Sequence, residues 1–335
     1  MIYGTGYADV LKTSLFEKQN SAIKKSLEKL SSEAVTGLAS DPAEKLGGNV
    51  TALAQVDSSE RVVMAELSNI QFAEARLQVV QDVLSWIQGT NDDVAQKTIS
   101  EMPLGSRGNV DMRAAEAEEI FKSMVAKLNT QHGPDYVFSG QSLNTPPLKN
   151  AVDMVAEIKA RTAALTSAAD IEAEVNAWMS DSVSGFLEGI PSGASAQSYT
   201  LVDNGRKVAA SASVLDPSVV ETIRGWALTL SVSGRSDLAD TQARAVVSKG
   251  ANIALNGGEM LRQQQAAFGR DQELAETIGL EKQSEKSSLR KAKLSLLQAD
   301  QYEASVALNE YRSSMERLYA ITARISNVSL VNYLR

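Results

Sequence analysis

The chain has 335 residues and a formal net charge of −8, with 43% apolar but only 5% aromatic residues. It has no cysteine and a single histidine, His132, which excludes disulfides, thiolate chemistry and a metal site built from several imidazoles of one chain. The acidic balance argues against a nucleic-acid-binding surface, and a core with few rings must be built from Ala, Val, Leu and Ile, which suits helices packed side by side.

The start, MIYGTGYADV, lacks a basic segment followed by an apolar run, so it does not read as a cleavable secretory signal. No stretch of about 18 apolar residues occurs, and no membrane span is expected. A cytoplasmic location is expected, or export by a route that cleaves nothing. Gly4-Thr5-Gly6 lacks the third glycine and the preceding strand of a dinucleotide fingerprint, and reads as a flexible tail.

From Tyr7 to Leu38, Phe16, Ile23, Leu27, Leu30 and Ala34 share one helical stripe. Gly37 and the Ser40-Asp41-Pro42 turn end it. Asp41 then caps a second helix, with Pro42 in its first turn and Glu44 reaching back to the cap. Val56, Val63, Ile70, Leu77 and Leu84 recur every seven residues, the period of coiled-coil packing. Leu53, Leu67, Ala73, Val80 and Ile87 flank them. The pattern predicts one helix from Pro42 to Gln88, roughly 70 Å long at about 1.5 Å per residue.

The middle reads differently. A helix is predicted near Met112 to Leu128, then a turn-rich excursion containing strand-like Tyr136-Val137-Phe138-Ser139, then a break at Pro146-Pro147. Residues 151–187 have helical spacing. Residues 198–211 read as a β-hairpin around Asn204-Gly205, and Val219 to Ser231 as a helix.

After Gly279 there is neither glycine nor proline. Ala304, Ala307, Tyr311, Ser314, Leu318, Ile321, Ile325 and Val328 step by three and four, and one helix from Leu280 to about Asn332 is predicted. Leu330, Val331 and Leu334 lie off that stripe, so the last turns are apolar on more than one side. Residues 42–88 carry six acids and three bases, a net of −3; residues 280–335 carry six acids and nine bases, a net of +3. Opposite signs favour pairing of these two helices, by about 0.5 kcal/mol for each exposed pair.

The expected fold is mainly α: an elongated, coiled-coil-like bundle of long paired N- and C-terminal helices with a small inserted α/β middle domain. The expected divisions are 1–145, 146–255 and 256–335. The expected assembly surface comprises Phe16, Ile23, Leu27, Leu30, Val56, Val63, Ile70, Leu77, Leu84, Leu318, Ile321, Ile325, Val328, Leu330, Val331 and Leu334. No catalytic, cofactor or metal site is expected. A triad of His132, Asp135 and a serine has no G-x-S-x-G elbow to present it, and His132 reads as a loop residue. Glu116, Glu118 and Glu119 match no calcium loop and read as a solvated helix face. Arg290, Lys291 and Lys293 have no interleaved aromatics and read as a solvent- or partner-facing patch.

Three segments resemble the bacterial flagellin-like axial proteins. LEKLSSEAVTGLASDPAEKLGGNVTALAQ is similar to that family's LSSG…DDP block and the helix after it. YVFSGQSLNTPPL resembles a Y-x-F-S-G-x…P motif of its hook–filament junction branch, the third hook-associated proteins. The end is similar to the same branch at Asp300, Ala304 and Ser329 to Leu334. The resemblance covers about the first 145 and the last 60 residues. A single aspartate, Asp41, precedes Pro42 where paired aspartates are common, Glu33-Ala34-Val35-Thr36 replaces G-x-R-I, and Arg335 extends the end. A divergent flagellin is the nearest alternative, and an exported coiled-coil effector a more distant one.

The resemblance implies a non-catalytic structural role in motility: a ring of copies joining hook to filament, in contact with an adjacent hook-associated protein and flagellin. It also implies uncleaved type III export to an extracellular flagellum, and a chaperone that covers the C-terminal helix beforehand.

Overall fold

The computed structural model describes residues 5–103, 106–196, 198–203, 205–209 and 211–333, and of residues 5–13, 201 and 325–333 the backbone alone. The described elements are α1 (Thr5–Thr36), α2 (Pro42–Lys45), α3 (Thr51–Glu101), α4 (Arg107–Leu128), β1 (Gln131–His132), β2 (Asp135–Tyr136), α5 (Ala151–Thr162), α6 (Ala168–Ser180), β3 (Tyr199–Asp203), β4 (Arg206–Ala209), α7 (Pro217–Leu230), α8 (Asp240–Leu297) and α9 (Gln301–Tyr333). The fold is mainly α, with two small antiparallel hairpins, β1–β2 and β3–β4. Contacts divide the chain into unit 1, residues 1–64 with 284–335, and unit 2, residues 65–283. Of the boundaries expected from the sequence, 145/146 falls in the turn before α5 and 255/256 inside α8.

Unit 2 holds a closed core. Along α3, Ile70, Leu77 and Leu84 are at most 1% exposed, and α8 runs antiparallel to α3, with Gly279 beside Ile70. Gln81 donates to the Gln265 carbonyl at 2.9 Å, and Asn91 to the Ala254 carbonyl at 2.8 Å. Helices α4 to α7 pack on one another, around Trp178, whose ring meets Phe186 at 5.9 Å and Phe121 at 6.4 Å. Asp216 and Pro217 start α7 as cap and first-turn residue, the Asp216 side chain accepting from Ser218 N–H. The β3–β4 hairpin lies where the sequence placed it. Gly205, at φ +95°, supplies its left-handed turn, and Asn204 lies outside the described residues.

Several expectations are corrected. The helix predicted from Pro42 to Gln88 is broken: α2 ends at Lys45, and Gly47 and Gly48, at φ +59° and +83°, turn the chain before α3. Such angles favour glycine and do not continue a right-handed helix. At its other end α3 continues through Gly89 to Glu101. The helix predicted from Leu280 to Asn332 is also broken, between Leu297 and Gln301. There the backbone of residues 37–39 takes two hydrogen bonds with residues 297 and 299, and Asp300 caps the next helix through Tyr302 and Glu303 N–H.

Helix α8 begins forty residues earlier than Leu280, at Asp240. Its glycines are contact points: a Cβ on Gly250 or Gly257 would lie 2.3 Å from the hydroxyl of Thr229 or Thr222 on α7. Of the strand-like Tyr136 to Ser139, only Tyr136 is in a strand; Val137 and Phe138 turn into the core at 0% exposure. Thr5 and Gly6, expected in a tail, open α1.

Candidate assembly surface

Unit 1 pairs α1 with α9 antiparallel. Gly37 lies against Gln301, and Leu30 shares a groove with Ala304 and Ala307. The α1 stripe lies half-buried at Phe16, Ile23, Leu27, Leu30 and Ala34. Along α9, which packs on α1, Ala304 and Leu318 are buried and Ala307, Leu308, Ser314 and Met315 half-buried, a stripe with small residues that permit close backbone approach. The other pair in this unit, residues 51–64 with 284–297, is joined by Lys293 to Asp57 at 2.7 Å and by Arg290 to Glu60 at 3.4 Å. The basic run of α8 is thus turned onto acids of α3, as the opposite net charges implied. The hydrogen bond to Asp57 holds the Lys293 ammonium above its ordinary pKa.

Closure of this unit is incomplete. Among its described residues only Val63, Ala304 and Leu318 are buried. Leu15 is 64% exposed, Val35 and Tyr302 80%, Ile321 49% and Tyr319 47%. Ile321 and Tyr319 flank the α1-facing stripe of α9 on its two sides, since they fall about 70° and 90° from its centre at about 100° per residue. Apolar surface therefore continues around α9 beyond what α1 covers.

The expected residues separate accordingly. Phe16, Ile23, Leu27, Leu30 and Leu318 come together between α1 and α9. Val56 is half-buried and Val63 buried in the second pair of unit 1, while Ile70, Leu77 and Leu84 lie in the core of unit 2. Ile325, Val328, Leu330 and Val331 lie on the backbone of α9, their side chains outside the described residues, and Leu334 lies outside altogether.

Sequence reasoning passed over Asn20. It occupies the α1 stripe between Phe16 and Ile23, and its Oδ1 is buried with no hydrogen-bond partner among the described residues. The signal was its place in the 16, 20, 23, 27, 30, 34 spacing. A polar residue in such a seam fixes register and partner number at a cost in stability.

The residues weighed for chemistry are held in structural roles. His132 is paired in register with Asp135 and tilts on Phe72 with ring centroids 5.8 Å apart. Asp135 bonds the buried Arg76 at 2.6 Å. The expected solvated face of Glu116, Glu118 and Glu119 is corrected at Glu118, which is half-buried. Burial pushes its carboxyl pKa up, but bonds from Lys159, Lys122 and Ser233 outweigh this and hold it down at about 2. Among the described residues no three His, Asp or Glu side chains converge as a metal site, and no helix is long and apolar enough to cross a membrane.

No family model matches the chain, and no curated protein matches it. Among solved structures, it is similar to a provisionally assigned flagellar hook-associated protein from Vibrio parahaemolyticus, with a TM-score of 0.41 and 14% identity over 76% of this chain and 97% of that one.

Proposed function

We propose that this chain is a structural protein of the bacterial flagellum that joins hook to filament, assembling in a ring through α1 and α9. The observation that carries this reading is the apolar surface of unit 1: α9 presents Tyr319 and Ile321 on either side of the face that α1 covers. Neighbouring copies bury those flanks, together with the terminal stripe from Ile325 to Leu334. The resemblance of the two chain ends to flagellin-like axial proteins supports the same reading. Before assembly, an export chaperone covers α9 and keeps this surface from premature association. The protein is exported uncleaved and acts outside the cell, against an adjacent hook-associated protein and flagellin, without catalysis or cofactor.

Replacing Tyr319 and Ile321 by Ser and Asp tests this. Both are exposed, so unit 2 keeps its wild-type unfolding midpoint by tryptophan fluorescence. Cells carrying the variant build hooks but shed filaments into the medium. Intact filaments and normal swimming in that strain would overturn the assignment.

A further inference from the structure

In unit 1, α1 and α8 stop at one level, at Thr36 and Leu297. The stretches that follow, 37–41 and 298–300, cross antiparallel with Leu38 opposite Gln298. Ala39 N–H donates to the Leu297 carbonyl at 2.7 Å, and Ala299 N–H to the Gly37 carbonyl at 2.9 Å. Among the described residues these are the backbone bonds that join the two stretches. No residue from 36 to 41 or from 297 to 300 is buried. Two open clefts border the crossing, of about 370 Å³ beside Leu38 and Gln298 and about 300 Å³ beside Ala39 and Ala299. Gly37, at φ +70°, makes the turn, and a Cβ there would lie 3.0 Å from Gln301 Nε2.

An interruption of both helices at one level, without packed side chains and with space on its flanks, is where a helical pair bends. We infer that this crossing is a joint, on which the α1–α9 pair turns as one body relative to residues 51–64 and 284–297. The two backbone bonds flank the Leu38–Gln298 pair and fix the register of the crossing, and among the described residues no further backbone bond extends the pairing to either side. A hinge of this kind concentrates its motion in a few residues at element ends. The side-chain bonds nearby stay on one strand of the crossing: Ser40 N–H donates to Glu33, Ser40 Oγ to the Lys29 carbonyl and the Lys29 ammonium to Glu44, which hold residues 40–44 to α1, and Asp41 and Asp300 cap their own helices.

The chain has no native cysteine, so Leu38→Cys with Gln298→Cys gives one defined lock across the crossing. Nitroxides are placed through p-azidophenylalanine at positions 21 and 58, on opposite sides of the joint, and in a second sample at 21 and 313, both within the α1–α9 pair. Pulsed electron resonance on the full chain then reads the spread of distances. The expected result is a 21–58 distribution at least twofold broader in the reduced chain than in the oxidised one, with a narrow 21–313 distribution throughout. A reduced chain as narrow as the locked one would overturn the joint. So would a broad 21–313 distribution, because the pair would then be melting instead of turning. Failure of the cysteines to oxidise would overturn the register on which the joint rests. These readouts use the isolated chain, so they stand or fall apart from filament assembly.

Discussion

Unit 2 and unit 1 use the same building block, antiparallel helices with apolar stripes at helical period, and close it to different degrees. In unit 2, Ile70, Leu77 and Leu84 of α3, Trp178 of α6 and Trp226 of α7 are at most 1% exposed. In unit 1 the equivalent stripe of α1 is only half-buried, and three described apolar residues are buried in all. The difference is one of layers. In unit 2 helices α4 to α7 cover the faces that one partner leaves open, whereas among the described residues of unit 1 no further helix covers the outer sides of the pairs. A two-helix pair buries one stripe per helix, and any apolar residue outside that roughly 100°-wide stripe must find another partner or stay wet. Stability therefore belongs to unit 2, and unit 1 keeps apolar side chains such as Leu15, Val35 and Ile321 exposed.

The largest expected effect lies in the closed unit. Arg76 is 1% exposed, and its guanidinium sits 5.4 Å over the Phe72 ring. Asp135 is its carboxylate partner, while Nε and Nη2 find no hydrogen-bond partner among the described residues. Asp135→Asn leaves a buried cation without a countercharge, a change that costs about 3–5 kcal/mol. All three tryptophans, Trp86, Trp178 and Trp226, lie in unit 2, so urea unfolding followed by their fluorescence reads this loss directly. A loss under about 1 kcal/mol would show that the pair is wet, and would weaken the contrast between the units.

A smaller effect is expected where α7 meets α8. A Cβ on Gly225 would lie 2.4 Å from the Ala254 backbone nitrogen, and backbone cannot move aside as a side chain does. Gly225→Ala is expected to lower the same fluorescence-monitored stability by about 1–3 kcal/mol through overpacking. The matched change in the open unit is Ala304→Gly, which removes a methyl from a contact between only two helices. It leaves tryptophan-monitored unfolding unchanged.

These two sites also show what the sequence conveyed and what it did not. The Val56 to Leu84 stripe was legible because a strict period survives whatever packs against it, and the 199–209 hairpin because Asn204-Gly205 dictates its own turn. The opposite charges of residues 42–88 and 280–335 matched partners only as far as Leu297, where Arg290 and Lys293 of α8 meet Glu60 and Asp57 of α3; the rest of that range, α9, pairs with α1 instead. The break at Gln298-Ala299-Asp300 was illegible because none of the three breaks a helix by itself; the crossing backbone of residues 37–39 imposes it. Helix α8 was missed over its first forty residues because its glycines read as loop signals. Gly250 and Gly257 are there to admit Thr229 and Thr222 of α7, a reason that exists only once both helices are placed. Within the candidate surface, the α1 spacing matches its half-buried residues, whereas of the expected α9 stripe Tyr311 and Ile321 are exposed. That Ile70, Leu77 and Leu84 face a closed core, while Val56 does not, follows from α4 to α7, whose placement no local pattern specifies.

The smallest expected effect concerns acid. Asp203, at the turn of the β3–β4 hairpin, bonds Lys282 at 2.8 Å and Arg206 at 2.6 Å. Lys282 also reaches Glu66 on α3 at 2.9 Å, so the carboxylate ties the hairpin to the α3–α8 pair within unit 2. The bond from Lys282, then that from Arg206, holds the Asp203 pKa down at about 2. Unfolded, the group returns to about 3.9. Its contribution is therefore complete above about pH 4 and is lost as pH falls through about 2, because the unfolded chain binds the proton first. Glu118, also held at about 2, loses its contribution over the same window and supplies a common background. Glu101, Asp181 and Asp237, also held below the usual carboxylate range by their arginine or backbone partners, add to that background, and Asp203→Asn removes one slope from the sum. Urea midpoints measured by tryptophan fluorescence should fall less steeply between pH 4 and pH 2 in the variant than in the native chain, and start lower at pH 7 by under ~1 kcal/mol. Equal slopes would mean that the hairpin is not coupled to the core that the tryptophans report, and the closed unit would end short of β3 and β4.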